Sequence, residues 1–252
     1  MSPLHAAAIF GAGIVAGTIN TVVGSGTLFT FPVLIAFGYA PVVANVSNTI
    51  GLVPGSVAGA LGYRGELSGQ RPQIVSLGIV SVIGGIAGAV LLLVLPASAF
   101  KSIVPAFIAL ALVLILLQPR LAPLLERRRR RRPQLPHRTT PGAALATTAS
   151  GVYGGYFGAA QGIILLAILG LELDDELQRI NALKVVLAGL VNLVAGIVFA
   201  FAAHVDWLVA LLIATGSTLG GGLGARVGRR LPEWALRLVI VAVSISAIVR
   251  LV

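Results

Sequence analysis

Ten apolar segments, separated by short polar breaks, make up most of this chain. They lie at about residues 4–20, 27–39, 44–62, 73–95, 98–118, 142–158, 162–171, 180–203, 206–225 and 233–250. The third, fourth, fifth and last three are long enough to cross a bilayer as helices, which takes roughly 17–25 apolar residues. Because a helix satisfies its own backbone polar groups in lipid, the pattern predicts an all-α, polytopic membrane protein.

Composition agrees with a lipid bilayer as the surrounding medium. Of the 252 residues, 57% are hydrophobic and only 10% are charged, with a mean hydropathy of +1.00, whereas soluble domains carry roughly 25% charged residues. The chain has no cysteine and its three histidines lie far apart, which excludes disulfides and thiolate metal sites and leaves no metal-ligand spacing. We therefore expect no metal and no cofactor.

The apolar run at residues 11–38 is interrupted in its middle by polar and small residues. An unbroken helix of about 28 residues would overshoot a bilayer of ~30 Å. We expect two short helices that meet at a polar tip inside the membrane and form half of a substrate site; a Gly-rich packing helix followed by an ordinary loop is the alternative. The residues of this first tip are Asn20, Thr21, Gly24, Ser25, Gly26 and Thr27.

The two halves of the chain repeat. Asn45, Gly88, Pro96 and Lys101 recur 136 residues later as Asn181, Gly224, Pro232 and Arg237. The seven-residue interval from 17 to 24 likewise matches 151 to 158. We expect a first transmembrane repeat at 1–118, an Arg- and Pro-rich linker at 119–141 and a second repeat at 142–252.

Charge predicts how the two repeats are oriented. The net charge of +10 comes largely from the arginine run at 127–132, which beside membrane spans is typical of a cytoplasmic loop and indicates no nucleic-acid partner. If each half is a re-entrant hairpin plus three spans, the second half is inverted. The basic residues then fall mainly on the inside, as the positive-inside rule requires. They include Arg64, Arg71, Arg226, Arg229 and Arg230.

Polar residues at both breaks, and on the helix after each, are the candidate substrate ligands. A helix beginning near Thr27 would point its N-terminus at the first tip, and such an end attracts anions. The alternative is that these groups only hydrogen-bond neighbouring helices. Lys184 either lines the site or extends to the membrane interface. The second-tip and following-helix candidates are Tyr153, Tyr156, Gly158, Gln161, Gly162, Asn45, Asn48, Asn181 and Lys184.

Four stretches of the chain resemble the sulfite exporter TauE/SafE family of bacterial membrane permeases. They are residues 16–38, 40–67, 151–170 and 204–232. The resemblance implies a permease of the bacterial cytoplasmic membrane that moves small sulfur-containing anions such as sulfite, thiosulfate or organosulfonates. Ser25 within the first glycine-rich motif, and Ala159, Ala160 and Gln161 at the second turn, depart from the usual pattern.

The expected function is secondary transport of a small inorganic or organic anion by alternating access. An anion channel, a carrier of small carboxylates and a non-transporting scaffold are the alternatives, and a homo-oligomer is left open. No arrangement of residues indicates an enzyme. The turn at His204 and Asp206 predicts a helix start with Asp206 as N-cap rather than a proton relay, and the acidic stretch 172–176 predicts a solvated loop or helix start.

Overall fold

The computed structural model describes residues 1–129, 140–173 and 175–227. Within these ranges the chain forms nine α-helices and no strand, which confirms the predicted all-α class. The helices are α1 (Pro3–Val22), α2 (Thr27–Ala36), α3 (Pro41–Gly62), α4 (Arg71–Val94), α5 (Ala97–Arg129), α6 (Pro141–Tyr156), α7 (Gln161–Glu172), α8 (Leu177–Ala202) and α9 (Trp207–Val227). The expected last span at 233–250 lies outside the described residues, as do the arginines at 130–132, Asp174, Arg229, Arg230, Pro232 and Arg237.

Local signals start several of these helices. A proline stands in the first turn of α1, α3, α4 and α6, where its missing N–H costs nothing. Ser2 and Thr140 accept hydrogen bonds from backbone amides of the first turn, at 3.2 Å from His5 N and 3.0 Å from Ala143 N. The predicted N-cap of α9 is confirmed, since Asp206 Oδ1 accepts from Val209 N at 3.0 Å.

Five of the described helices are long and apolar enough to cross a membrane, which confirms a polytopic membrane protein. They are α1, α4, residues 97–117 of α5, α8 and α9. α2 and α7, with 10 and 12 residues, are too short to cross. The expectation of two short helices in the first hairpin was wrong for α1, which has 20 residues. Gly13 and Gly17 lie within α1 and pack against the backbone of α9.

Helix packing relates the two halves reciprocally. The first helix of each half packs on the fourth helix of the other, α1 on α9 and α6 on α4. The third helix of each half also packs on the other half's fourth helix, α3 on α9 and α8 on α4, and α3 packs on α8. The contact of α1 with α9 therefore corresponds to that of α6 with α4, and the contact of α3 with α9 corresponds to that of α8 with α4.

Glycine contacts show the direction in which neighbouring helices run. Gly84 and Gly88 on α4 face Thr148 and Val152 in turn, so α4 and α6 are parallel. Gly13 and Gly17 face residues 213 and 217 in the same order, so α1 and α9 are also parallel. α3 and α8 are antiparallel, because Gly59 faces residue 185 whereas Gly196 faces residue 50.

Several connections meet at one end of the bundle. Gln70 Nε2, between α3 and α4, donates to Arg179 O near the start of α8 at 3.0 Å. Gly62, the last residue of α3, lies against Ala225 near the end of α9. α6, which follows the linker, starts at the same end because it runs parallel to α4. We call this end of the bundle the linker end.

Candidate functional site

The two Gly-rich tips are in direct contact in the protein interior. Gly162 N donates a hydrogen bond to Gly24 O at 2.9 Å. A Cβ atom on Gly24 would lie 2.5 Å from Gly162 Cα, so neither chain has room for a side chain there. Gly24 and Gly158 turn the chain with φ of +88° and +75°, which only glycine adopts readily. Because the two backbones touch, an anion held by both tips must lie beside this hydrogen bond.

Two helices start at this contact without a side-chain cap. α2 begins at Thr27, as predicted, with Gly26 at its N-cap. α7 begins at Gln161 after Ala160, whose φ of 59° is left-handed. Backbone carbonyls already accept hydrogen bonds from first-turn amides of both helices, including Phe29 N of α2 and Gln161 N and Ile163 N of α7. Each helix end therefore stabilises a nearby anion through its dipole, which amounts to roughly half a positive charge. The tips therefore present two such ends close together.

Lys184 lies buried beside the tips and does not extend to the membrane interface. Its side chain is 1% exposed, and its Nζ donates to Thr21 O at 3.4 Å. A Cβ on Gly24 would be 3.3 Å from Lys184 Cδ, which places the lysine stem against the tip. Among the described residues, the one ion pair found joins Arg179 to Asp175 and leaves Lys184 without a carboxylate. Because burying an unpaired ammonium is costly, the position favours an anionic ligand.

The repeat-related asparagines Asn45 and Asn181 make equivalent bonds to the opposite half. Asn45 Nδ2 donates to Tyr156 O, at the end of α6, at 3.0 Å. Asn181 Nδ2 donates to Thr21 O, near the end of α1, at 3.4 Å. Each amide thus holds the first arm of the other half's hairpin, so both residues position the tips.

Asn48 holds α2 against α3. Its Nδ2 donates to Thr27 Oγ1 at 3.2 Å, and its Oδ1 accepts from Thr30 Oγ1. The amide therefore has a partner at both ends inside the protein. Thr30 was not among the sequence candidates, although its spacing of three from Thr27 puts both hydroxyls on one face of a helix.

Tyr153 and Tyr156 both pack their rings on Phe107 of α5 but differ in the partners of their hydroxyls. Tyr153 OH donates to Ala159 O at 2.5 Å and so closes the second turn. The Tyr156 ring packs on Phe100 and Phe107 of α5, with ring centroids 5.6 and 5.9 Å apart. The sequence did not point to these two phenylalanines, because the aromatic contact depends on how α5 crosses α6.

Some candidate side chains are buried with polar atoms that have no partner in the part of the chain that the structure describes. These atoms are Thr21 Oγ1, Ser25 Oγ, Asn45 Oδ1, Tyr156 OH and Gln161 Nε2. Asn20 differs, since its Nδ2 donates to Ser56 Oγ at 3.4 Å. A buried polar group without a partner costs roughly 1–3 kcal/mol, so these groups are suited to bind a polar ligand.

The other charged clusters have structural roles. Asp175 pairs with Arg179 at 2.7 Å at the start of α8, and Thr140 donates to Glu172. Asp206 N also donates to Ser47 Oγ at 3.0 Å, so this turn is held against α3. No group of three or more His, Asp or Glu side chains suited to a metal ion occurs within the described ranges.

Short helices that meet at a buried polar contact, within a bundle of spanning helices, are typical of multi-pass membrane transporters. A sequence model of the sulfite exporter TauE/SafE family matches residues 9–251. The chain belongs to this family.

Curated relatives carry transporter names. The probable membrane transporter protein YfcA of Escherichia coli (strain K12) is 27% identical over 250 residues, covering 97% of this chain and 88% of the relative. The probable membrane transporter protein of Haemophilus influenzae is 26% identical over 247 residues, covering 98% and 94%. One from Sinorhizobium sp., ORF9, is 27% identical over 247 residues, covering 96% and 90%. No solved structure gives a significant match.

Proposed function

We propose that this protein is a secondary transporter that moves a small sulfur-containing anion, such as sulfite, thiosulfate or an organosulfonate, across the membrane by alternating access. The observation that carries the proposal is the convergence of Lys184 with two uncapped helix starts at the contact of the tips. A compact oxyanion fits this setting, because hydroxyl, amide and ammonium groups donate hydrogen bonds to it and the two helix dipoles add positive potential.

Each ligand group has a distinct part in this proposal. Lys184 supplies the balancing charge, and Ser25, Thr21 and Gln161 supply neutral donors whose buried polar atoms have no partner within the described chain. The glycines at 24, 26, 158 and 162 let the backbone approach the anion closely. Asn45 and Asn181 hold the two tips in register through their bonds to the opposite half.

Alternating access requires two halves that can move against each other. Reciprocal packing of α1 on α9 and of α6 on α4, together with the antiparallel α3 and α8, supports an inverted repeat. We place the halves at 1–118 and 142–252, joined by the linker at 119–141. Rocking one half against the other would expose the tips to each side in turn.

Charge supports a linker end that faces the cytoplasm. Arg64, Arg71 and Arg226 are exposed, and they lie where α3 ends, α4 begins and α9 ends. The opposite end carries Lys101 and the turn at His204. Together with the arginine-rich sequence of the linker, these charges support a linker end in the bacterial cytoplasm, as the positive-inside rule expects.

A counterflow screen in proteoliposomes tests the proposal. Vesicles loaded with unlabelled sulfite or thiosulfate should take up the labelled anion faster than empty vesicles, with saturation, because a carrier exchanges its cargo. Sulfate, sulfonates and short carboxylates serve as competitors. If none of the sulfur anions exchanges or competes, the substrate assignment is wrong, and competition by carboxylates alone supports the carboxylate carrier.

The same vesicles separate a carrier from a channel. Fast, unsaturable conductance would contradict alternating access. Deletion of the arginine run at 127–132 tests the scaffold alternative, since a carrier inserted in its correct orientation keeps its transport without it.

A further inference from the structure

A row of buried polar atoms runs along α4 and α6, away from the residues that the sequence singled out. Four side chains contribute: Gln73, Ser81, Thr147 and Ser150, at 6%, 1%, 0% and 3% exposure. Gln73 Oε1 and the three hydroxyls lack hydrogen-bond partners in the described ranges. At the second tip the row meets Gln161, whose Nε2 also lacks a hydrogen-bond partner among the described residues.

The geometry of α6 carries this row from the linker end to the tip. Thr147, Ser150 and Gly154 are three and four residues apart, so they share one face of the helix. A Cβ on Gly154 would overlap the amide group of Gln161, which shows that this face meets Gln161 on α7. At 1.5 Å per residue, Thr147 lies about 10 Å from Gly154 toward the linker end.

α4 supplies a second edge to the row. Ser81 O would lie 2.9 Å from a Cβ on Gly151, so Ser81 is next to the middle of α6. Gln73 precedes Ser81 by about two turns, near the linker end. Leu77 stands between them and packs in an apolar cluster with Leu165 of α7 and Leu183 of α8. The polar row is therefore interrupted by one apolar layer.

Hydroxyls within a membrane helix ordinarily bond to the carbonyl of the preceding turn. Thr148, Thr215 and Thr218 do so, at 2.9, 2.9 and 2.7 Å. Thr147 and Ser150 lie in the same helix as Thr148 and do not. A buried hydroxyl without a hydrogen-bond partner costs roughly 1–3 kcal/mol, so these hydroxyls are suited to bind water.

The repeat-related positions do not form a second row of this kind. At the offsets of the repeat, Thr147 and Ser150 correspond to Gly13 and Ala16, and Gln73 corresponds to Val209. Ser81 corresponds to Ser217, whose hydroxyl donates to Gly51 O at 2.7 Å. The repeat-related positions are therefore apolar or paired, so general helix packing does not account for the row.

We infer that Gln73, Ser81, Thr147 and Ser150 line a hydrophilic route, for water and small anions, from the linker end to the tips, and that the Leu77 layer closes it. The role of the route in transport rests on the proposed function, whereas its access to water does not. Opening then requires α4 to separate from α7 and α8 at Leu77, which would join Gln73 to Ser81 through water.

Cysteine accessibility tests the route, since the chain has no native cysteine. Single variants Thr147→Cys and Ser150→Cys are treated in inside-out vesicles with 2-sulfonatoethyl methanethiosulfonate, an anionic, membrane-impermeant reagent. Ala16→Cys is the matched control from the first half, and Ser68→Cys, exposed at the linker end, is the positive control. We expect the two route variants to react at least about tenfold faster than Ala16→Cys, because the reactive thiolate forms where water reaches it.

A second variant tests the closing layer. Adding Leu77→Ala to Ser150→Cys should increase the modification rate further, since it removes the apolar side chain that separates Ser81 from Gln73. Thr147→Cys and Ser150→Cys as unreactive as Ala16→Cys, with and without Leu77→Ala, would overturn the route. Cysteine labelling does not depend on transport. The route can therefore be disproved by labelling while counterflow supports the proposed function, and the proposed function can be disproved by counterflow while labelling supports the route.

Discussion

Gly162 donates its backbone N–H to the carbonyl oxygen of Gly24 at 2.9 Å, and this bond joins two hairpin tips that lie 138 positions apart in sequence. The contact needs glycine on both sides, because a Cβ on either residue would overlap the backbone of the other. The tips thus meet backbone to backbone, and the stem of Lys184 lies against Gly24.

Gly24→Ala tests this contact. The new methyl group would lie 2.5 Å from Gly162 Cα, on a residue with φ of +88°. Overpacking costs about 1–3 kcal/mol in addition to left-handed strain of about 1–2 kcal/mol. Gly38→Ala is the matched control, since Gly38 has φ of +84° and nothing within 4 Å of its Cβ position. The thermal unfolding temperature in detergent should fall clearly more for Gly24→Ala than for Gly38→Ala. An equal fall for both variants would contradict the packing argument.

Lys184→Met tests the balancing charge. The variant removes a buried cation while keeping an apolar stem of similar length, so we expect the fold to persist. Anion affinity should fall about 10- to 100-fold, the equivalent of one lost charge-assisted hydrogen bond of roughly 1.5–3 kcal/mol. Binding of sulfite or thiosulfate to the purified protein is the measurement, with exposed Lys101→Met as the control. Unchanged affinity would exclude Lys184 from the site.

Asp206→Asn and Asp206→Ala separate an N-cap from a proton relay. Asparagine caps a helix about as well as aspartate, whereas alanine loses about 1 kcal/mol. We therefore expect Asp206→Asn to keep its thermal stability and Asp206→Ala to lose it, because Asp206 Oδ1 accepts from Val209 N. The pH profile of transport by Asp206→Asn should match that of the unchanged protein. A flattened profile would favour the relay.

Ala160→Gly and Ala159→Gly form a pair at the second tip. Both side chains are fully buried, so each change removes one methyl group worth about 0.8 kcal/mol. Ala160 alone of the two has a left-handed φ, 59°, which glycine adopts without the strain of about 1–2 kcal/mol. Ala160→Gly should therefore be about 1 kcal/mol less destabilising. Thermal unfolding is the measurement. A larger loss of stability for Ala160→Gly than for Ala159→Gly would contradict backbone strain at Ala160.

Short-range patterns predicted much of the secondary structure. The break at residues 20–27 and a helix start near Thr27 were predicted from the polar residues and glycines there, and the N-cap role of Asp206 from its place before an apolar run. The first arm of the hairpin was expected to be short, whereas α1 has 20 residues and is long enough to cross a membrane. Gly13 and Gly17 within α1 pack against α9, about 200 residues later in the chain, and no local pattern shows this contact.

By itself, the sequence determined the helical class, the two Gly-rich breaks and the membrane setting, since these follow from local periodicity and from the cost of exposing polar backbone to lipid. Tertiary structure alone decided that Lys184 is buried beside Thr21 and that Asn48 hydrogen-bonds to Thr27 and Thr30. It also decided that the hydroxyls of Thr147 and Ser150 lack partners among the residues that the structure describes. The physical reason is that a polar side chain's role in a bundle depends on which neighbours it meets. Those neighbours are brought together by packing between helices that are distant in sequence.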